Sequence, residues 1–380
     1  MNDLADSLDK LRQEHLYRTR NISSTSQQIE PTINGKKVLS FCSNDYLGLA
    51  NHPHIIKSFS NAAHMYGVGA GASHLITGHH KSHHSLEKEL AEFIGCERVL
   101  LFSAGYMANI GVVNALSNRD SIIYEDRLNH ASLIDAGIIS RAKLKRYQHL
   151  NTSELSAALS IDDKRSKLIL TDGVFSMDGT ITPVGDLQSL ATKFNATLII
   201  DDAHGIGVLG KQGKGCTEGL LEENTVLIGT LGKAFGTFGA FLAAKADVVD
   251  WCIQKARTYI YTTALPPAIA EATRTSLSLA REETWRREKL QSLIARFRKY
   301  CTESGVPIAF STTPIQPIIL GSSATVVSAS IALENKGILV SAIRPPTVPK
   351  NEARLRVTFS ATHTEEHIDR LVEALTDAIK

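Results

Sequence analysis

From Val99 onward, short apolar runs alternate with stretches of helical spacing, and no other feature constrains the fold as much. The runs are Val99–Phe102, Ser121–Tyr124, Leu168–Thr171, Thr197–Ile200, Val226–Gly229 and Ala240–Ala243. Between them, Asn109–Leu116 and Leu187–Phe194 carry apolar residues at helical intervals. Strands that are apolar throughout must be covered on both faces, so the pattern predicts βα units and a mostly parallel sheet. Ligands of such sheets bind beyond the carboxyl ends of the strands, and the chemistry is sought there.

The pattern changes near Thr284. Trp285–Tyr300 reads as a charged amphipathic helix, followed by a strand at Ile315–Leu320, a helix near Val326–Lys336, a strand at Arg354–Thr358 and a last helix over Glu365–Ile379. The sequence therefore divides into an N-terminal helix and arm (1–45), a large α/β domain (46–284) and a small α+β domain (285–380). Ile55–Tyr66 and Ser82–Phe93 also read as helices.

Composition removes several classes of function. Lys and Arg (41) nearly balance Asp and Glu (39), with no basic run, so nucleic-acid binding is not expected. Five scattered cysteines with no Cys-x-x-Cys predict neither a disulfide framework nor structural zinc, and suit a reducing cytoplasm. Residues 1–20 lack the apolar core of a secretory signal, and no stretch approaches the ~20 apolar residues of a membrane span.

Two strand ends stand out. Thr197–Ile200 runs into Asp201-Asp202-Ala203-His204-Gly205, and Val226–Gly229 runs into Thr230-Leu231-Gly232-Lys233. A carboxylate ending a buried strand is costly unless it meets a cation. Taken singly, Asp201 suits an ordinary buried ion pair and Lys233 a solvated loop. Together they suit pyridoxal phosphate, which needs a lysine for a Schiff base and a carboxylate to keep its ring nitrogen protonated. Ser103-Ala104-Gly105-Tyr106, between a strand and a helix, offers amide donors for a phosphate, and Thr230 a hydroxyl.

Four segments in order, Ser43–Leu49, Thr171–Gly179, Asp201–Gly205 and Gly229–Gly236, resemble the α-oxoamine synthases. These are pyridoxal-phosphate enzymes of the aspartate-aminotransferase fold (fold type I), and the resemblance runs from about Leu8 to Leu375. It implies a seven-stranded sheet with the cofactor held covalently on Lys233, Asp201 at the pyridinium and His204 near the phenolic oxygen. It further implies that His130 stacks on the ring, that Gly105, Tyr106, Ser176 and Thr230 bind the cofactor, and that Arg18, Asn44, His130, Arg344 and Thr347 face substrate. Asp172 stands where several relatives carry Glu, and its role stays open.

Ile343–Pro349 and Gly71–His80 point to the biotin-pathway branch, which condenses L-alanine with a pimeloyl thioester of coenzyme A or acyl carrier protein. The alternatives are another member, such as a glycine C-acetyltransferase, or a catalytically silent scaffold of the same fold. The resemblance also implies a homodimer in which the apolar loop Tyr259–Pro267 reaches the neighbouring active site.

Other motifs carry less. Gly67–Ala72 matches a dinucleotide fingerprint, but a helix precedes it where a strand is required. Gly229–Ala234 lacks the spacing of a P-loop. The histidines His74, His79, His80, His83 and His84 have no HExxH companion, so they are expected to cap and solvate a helix, with no metal.

Overall fold

The structure is a computed structural model that describes residues 4–161 and 165–379. The chain forms two compact units: one is His52–Phe175 with Ile181–Thr284, the other Met1–Asn51 with Ser176–Thr180 and Trp285–Lys380.

In the first unit the apolar runs become strands: β1 (Arg98–Phe102), β2 (Ile122–Asp126), β3 (Lys143–Tyr147), β4 (Lys167–Asp172), β5 (Ala196–Asp201), β6 (Thr225–Thr230) and β7 (Ala240–Ala244). They form one seven-stranded sheet in the order β1-β7-β6-β5-β4-β2-β3. Neighbours from β6 to β3 pair in parallel, and β7 alone runs antiparallel to both of its neighbours. The core packs Leu100, Ile123, Leu168, Ile199, Ile228 and Leu242 from the strands against the helix that follows α1 (Lys81–Ile94), through Ala108, Val112 and Val113 of α2 (Gly105–Leu116). Each fully buried aliphatic side chain contributes about 1.5–3 kcal/mol.

Strand β3 has no counterpart among the apolar runs of the sequence. It is an edge strand whose single fully buried residue is Tyr147; its charged side chains blunt the open edge, and Arg146 pairs with the buried Glu125 at 2.9 Å. Tyr259–Pro267, read as a loop, is partly helical. Arg257–Ile260 forms one turn, Tyr259 is buried in its own chain, and Pro267 opens the helix Pro267–Glu282.

In the second unit, β8 (Ile315–Gly321), β9 (Ser341–Ile343) and β10 (Ala353–Thr358) form an antiparallel sheet with β10 central. The N-terminal 51 residues are not a separate arm. Leu39–Ser40 pairs in parallel with Ile338–Leu339, and the amides of Thr358 and Ala361 donate to the carbonyls of Phe41 and Tyr46. The first helix ends at Gln13, so Arg18 lies beyond it rather than on it.

His363 fastens this seam. Its ring stacks on Phe41 at 4.5 Å, Nδ1 accepts the Ser360 N–H at 2.9 Å, and Nε2 donates to the Ser40 carbonyl at 3.1 Å. Burial lowers its pKa from the ordinary 6.5 to about 4. A base depressed on folding contributes stability in full above its unfolded pKa and loses it as pH falls toward its folded pKa. Between about pH 6.5 and 4, the stability advantage of the parent chain over His363→Gln is therefore expected to shrink by on the order of 3 kcal/mol. Parallel urea titrations across that range read the gap, and a constant gap overturns the assignment.

Candidate active site

The strand ends of the first unit gather most of the residues nominated from sequence. Asp201 ends β5, and its Oδ2 accepts from Asn109 Nδ2 at 2.6 Å while Oδ1 accepts from the Ala203 amide at 3.0 Å. Asn109, fully buried on α2, turns its second N–H to Ser132 Oγ at 2.8 Å. Ser132 in turn meets His130 Nδ1 at 2.7 Å with its hydroxyl and 3.3 Å with its amide. Because an amide can only donate, His130 Nδ1 is an acceptor and its proton sits on Nε2. A continuous polar line thus joins Asp201 to His130 through Asn109 and Ser132, neither of which the sequence reading nominates.

His204 follows Asp201 by three residues and is buried, with Nε2 2.8 Å from Lys233 Nζ. Its loop is held by Asp202, a fully buried carboxylate that accepts the Cys216 amide at 2.8 Å. A Cβ on Gly173, Gly205 or Gly215 would collide with Asp202, so only glycine fits around it. Burial pushes the Asp202 carboxyl up to about 7.

Asp172 ends β4 directly in register with Asp201. Its Oδ2 accepts the His130 amide at 3.1 Å, and its own amide donates to Asn129 Oδ1 at 3.1 Å. Burial, and next the neighbouring Asp201, raise its pKa well above the ordinary carboxyl range. Through its bond to the His130 amide, the Asp172 carboxyl, whose role the sequence leaves open, fixes the backbone of His130.

The third element is the start of α2. Its N-cap, Ala104, is extended and supplies no side-chain cap, so the first amides of the helix, including those of Gly105 and Tyr106, have no helical partner. No heavy atom outside the local chain lies within 4 Å of where a Gly105 Cβ would stand. Tyr106 packs edge-on to His130 and donates its hydroxyl to Asp135. Thr230 Oγ1 donates to the Gly239 carbonyl at 3.1 Å and accepts the Gly232 amide at 3.4 Å. These residues fit pyridoxal phosphate: an amine, a carboxylate held only by donors, and a positive helix end with room beside Gly105.

Arg18, Asn44, Ser176, Arg344 and Thr347 belong to the other unit. Arg344 donates to the His15 carbonyl at 2.5 Å, and burial followed by the charge of Arg18 lowers its pKa, so the two cations are neighbours. Thr347 is exposed, and its amide donates to Arg344 O at 3.1 Å. Asn44 Oδ1 accepts both terminal nitrogens of Arg356 at 3.2 Å, and Arg356 Nε donates to the Ser176 carbonyl.

Arg356 was missed from sequence. It alternates with Arg354 on β10, and both are buried. Arg354 is paired with Asp178 and Glu352, whereas Arg356 has no carboxylate partner among the described residues. Its guanidinium meets the neutral oxygens of Asn44 and Ser176, which leave its charge unneutralised.

A family model, aminotransferase class I and II, matches residues 36–375. An 8-amino-7-oxononanoate synthase of Methylococcus capsulatus is 52% identical over 99% of this chain and 98% of its own length. One from Pseudomonas aeruginosa is 51% identical over 99% and 94%. The chain belongs to the 8-amino-7-oxononanoate synthases. With that membership come pyridoxal-phosphate dependence, acyl transfer and a place in biotin biosynthesis.

Among solved structures, a serine palmitoyltransferase from S. paucimobilis with bound PLP superposes at a TM-score of 0.93, with 26% identity over 99% of this chain and 96% of that one. An 8-amino-7-oxononanoate synthase from Francisella tularensis gives 0.77, with 32% identity over 90% and 97%. The fold expected from the sequence, a mostly parallel seven-stranded sheet of fold type I, is the one observed.

Proposed function

We propose that the chain joins L-alanine to a pimeloyl thioester, carried by coenzyme A or acyl carrier protein, giving 8-amino-7-oxononanoate, carbon dioxide and the free thiol. The Lys233–His204 pair beside Asp201 is the observation that supports this most directly. When bound, pyridoxal phosphate supplies an electron sink for negative charge at the α-carbon of the amino acid. Lys233 would anchor the cofactor covalently and, once freed by the incoming amino acid, remove the alanine α-proton at Nζ. His204 Nε2 accepts from that nitrogen and holds it in place.

The α-carbon then bonds to the acyl carbon as the C–S bond breaks and the thiolate leaves, taking a proton from solvent. The bond to the carboxylate breaks next, releasing carbon dioxide, and Lys233 returns the proton to carbon. Asp201 would hold the cofactor at its ring nitrogen, His130 would lie against its ring, and Gly105, Tyr106, Thr230 and Ser176 would contact it. Asn44, Arg344 and Arg356 hold substrate carboxylate, and Arg18 with Thr347 meets the acyl chain.

Steady-state rates with acetyl, succinyl, pimeloyl and palmitoyl thioesters, each with L-alanine and with glycine, test the assignment. The pimeloyl–alanine pair is expected to give the highest kcat/KM. A glycine–acetyl maximum replaces it with a glycine C-acetyltransferase, and no turnover with any pair favours a silent scaffold.

The same reading makes the protein a cytoplasmic homodimer. No described helix is long and apolar enough to cross a membrane, and all five cysteines are free. Tyr261 is 71% exposed in the single chain, together with Val68 and Ile76, which suits burial against a second copy. Sedimentation of a fully active monomer overturns the dimer.

A further inference from the structure

The sequence reading expects the histidine cluster to cap and solvate a helix. In part it does: His80 is the N-cap of α1 (Lys81–Ile94), and its side chain accepts the Ser82 amide at 3.1 Å. His74 and His83, however, are buried.

His83 is fully committed. Its Nδ1 accepts the His80 amide at 2.9 Å and its Nε2 donates to the Leu265 carbonyl at 2.7 Å, leaving no nitrogen for another partner. His74 stacks on Tyr259 at 5.0 Å, with the rings 11° apart, and its Nδ1 lies 2.9 Å from His79 Nδ1. This contact uses Nδ1 of His79 and leaves Nε2, which lies 3.9 Å from Glu87 Oε2. The other oxygen, Oε1, already accepts the Leu101 amide at 3.0 Å, which fixes the carboxylate. His84, three residues before Glu87 on the same face of α1, completes a set whose donor atoms all lie within 4.8 Å of one another.

We propose that His79, His84 and Glu87 form a divalent transition-metal site of the zinc type. Two imidazoles and one carboxylate suit zinc, nickel or copper, and three protein ligands leave a fourth position for water. Bonds of about 2.0–2.1 Å at tetrahedral angles put donor atoms roughly 3.4 Å apart. The set must therefore close by about an ångström, which rotation of the exposed His79 and His84 side chains supplies. His74 acts from behind: its Nδ1 engages Nδ1 of His79, which leaves Nε2 of His79 as the ligand atom. The ion would clamp the loop carrying His79 onto α1, outside the residues assigned to chemistry.

The test uses untagged holoenzyme, freed of metal with a chelator and titrated with Zn²⁺ or Co²⁺ alone. One ion per chain is expected, with the visible absorption of a four- or five-coordinate Co²⁺ and a raised melting temperature. His79→Ala, His84→Ala and Glu87→Gln should each weaken binding at least tenfold, with metal-free kcat unchanged. His74→Phe, which keeps a ring on Tyr259, should weaken it by roughly tenfold. Equal affinity in the parent and in the His79→Ala/His84→Ala double variant, or no bound ion, overturns the site.

Discussion

Lys233→Ala is expected to fold as the parent does and to lose turnover. Lys233 is half-buried in a loop beyond β6, and its Nζ contacts His204 without filling core space. Its removal should shift stability by no more than about 1 kcal/mol, read by urea or thermal melting. Loss of the proton-transferring amine alone should lower kcat by roughly 10²–10⁴-fold, and loss of the covalent anchor should lower it further.

Lys233→Arg separates two explanations. Arginine keeps the charge beside His204 but does not give up its proton near neutrality. If charge alone matters, the Arg variant retains activity; if proton transfer matters, it is as inactive as the Ala variant. Borohydride should trap cofactor on the parent and on neither variant. Near-native turnover in Lys233→Ala removes the basis of the proposed function.

The sequence exposes the buried strands of the large sheet because covering both faces leaves only apolar residues in them. Strand β3 escapes for the opposite reason. At the edge, one face and one side of Lys143–Tyr147 meet water, so its charged residues look like a surface loop. The boundary near Trp285 is visible as a change in pattern, but the return of residues 1–51 to the C-terminal unit rests on two-residue ladders and single amide bonds. Contacts between the two ends of a chain leave no periodic trace.

The site divides the same way. Lys233, Asp201 and His204 can be read from sequence because strand ends place them within a few residues of recognisable runs. Asn109 and Ser132 cannot, because each sits inside a helix and its function is a contact across the fold. Arg356 left a usable signal, a second arginine two positions after Arg354 in an otherwise apolar strand. Alternation puts both on one face, and a buried face with two cations demands two anionic solutions. The structure supplies one, at Arg354.

Asp201→Asn should lower kcat by on the order of 10²–10³-fold while leaving the fold intact, the size of effect seen when one preorganised electrostatic partner is removed. In the parent, both carboxylate oxygens accept: one from Asn109, one from the Ala203 amide. An asparagine has only one acceptor oxygen, so its NH₂ must face either Asn109 Nδ2 or the Ala203 amide, donor against donor. The displaced group costs about 1–3 kcal/mol if left unsatisfied in this buried place, a loss that melting of the cofactor-free protein measures directly. The polar line to His130 is then broken at its first link, because Asn109 holds Ser132 and Ser132 holds the imidazole.

Asp201→Glu distinguishes charge from position: it restores the carboxylate but displaces it by one methylene. If charge dominates, the Glu variant recovers most of the activity; if the geometry through Asn109 dominates, it stays as low as Asn. If Asp201 holds the ring nitrogen as proposed, the pH dependence of the visible absorption should move in the Asn variant relative to the parent. An Asn variant with parental kcat and an unmoved spectrum would show that Asp201 serves only to cap its own loop.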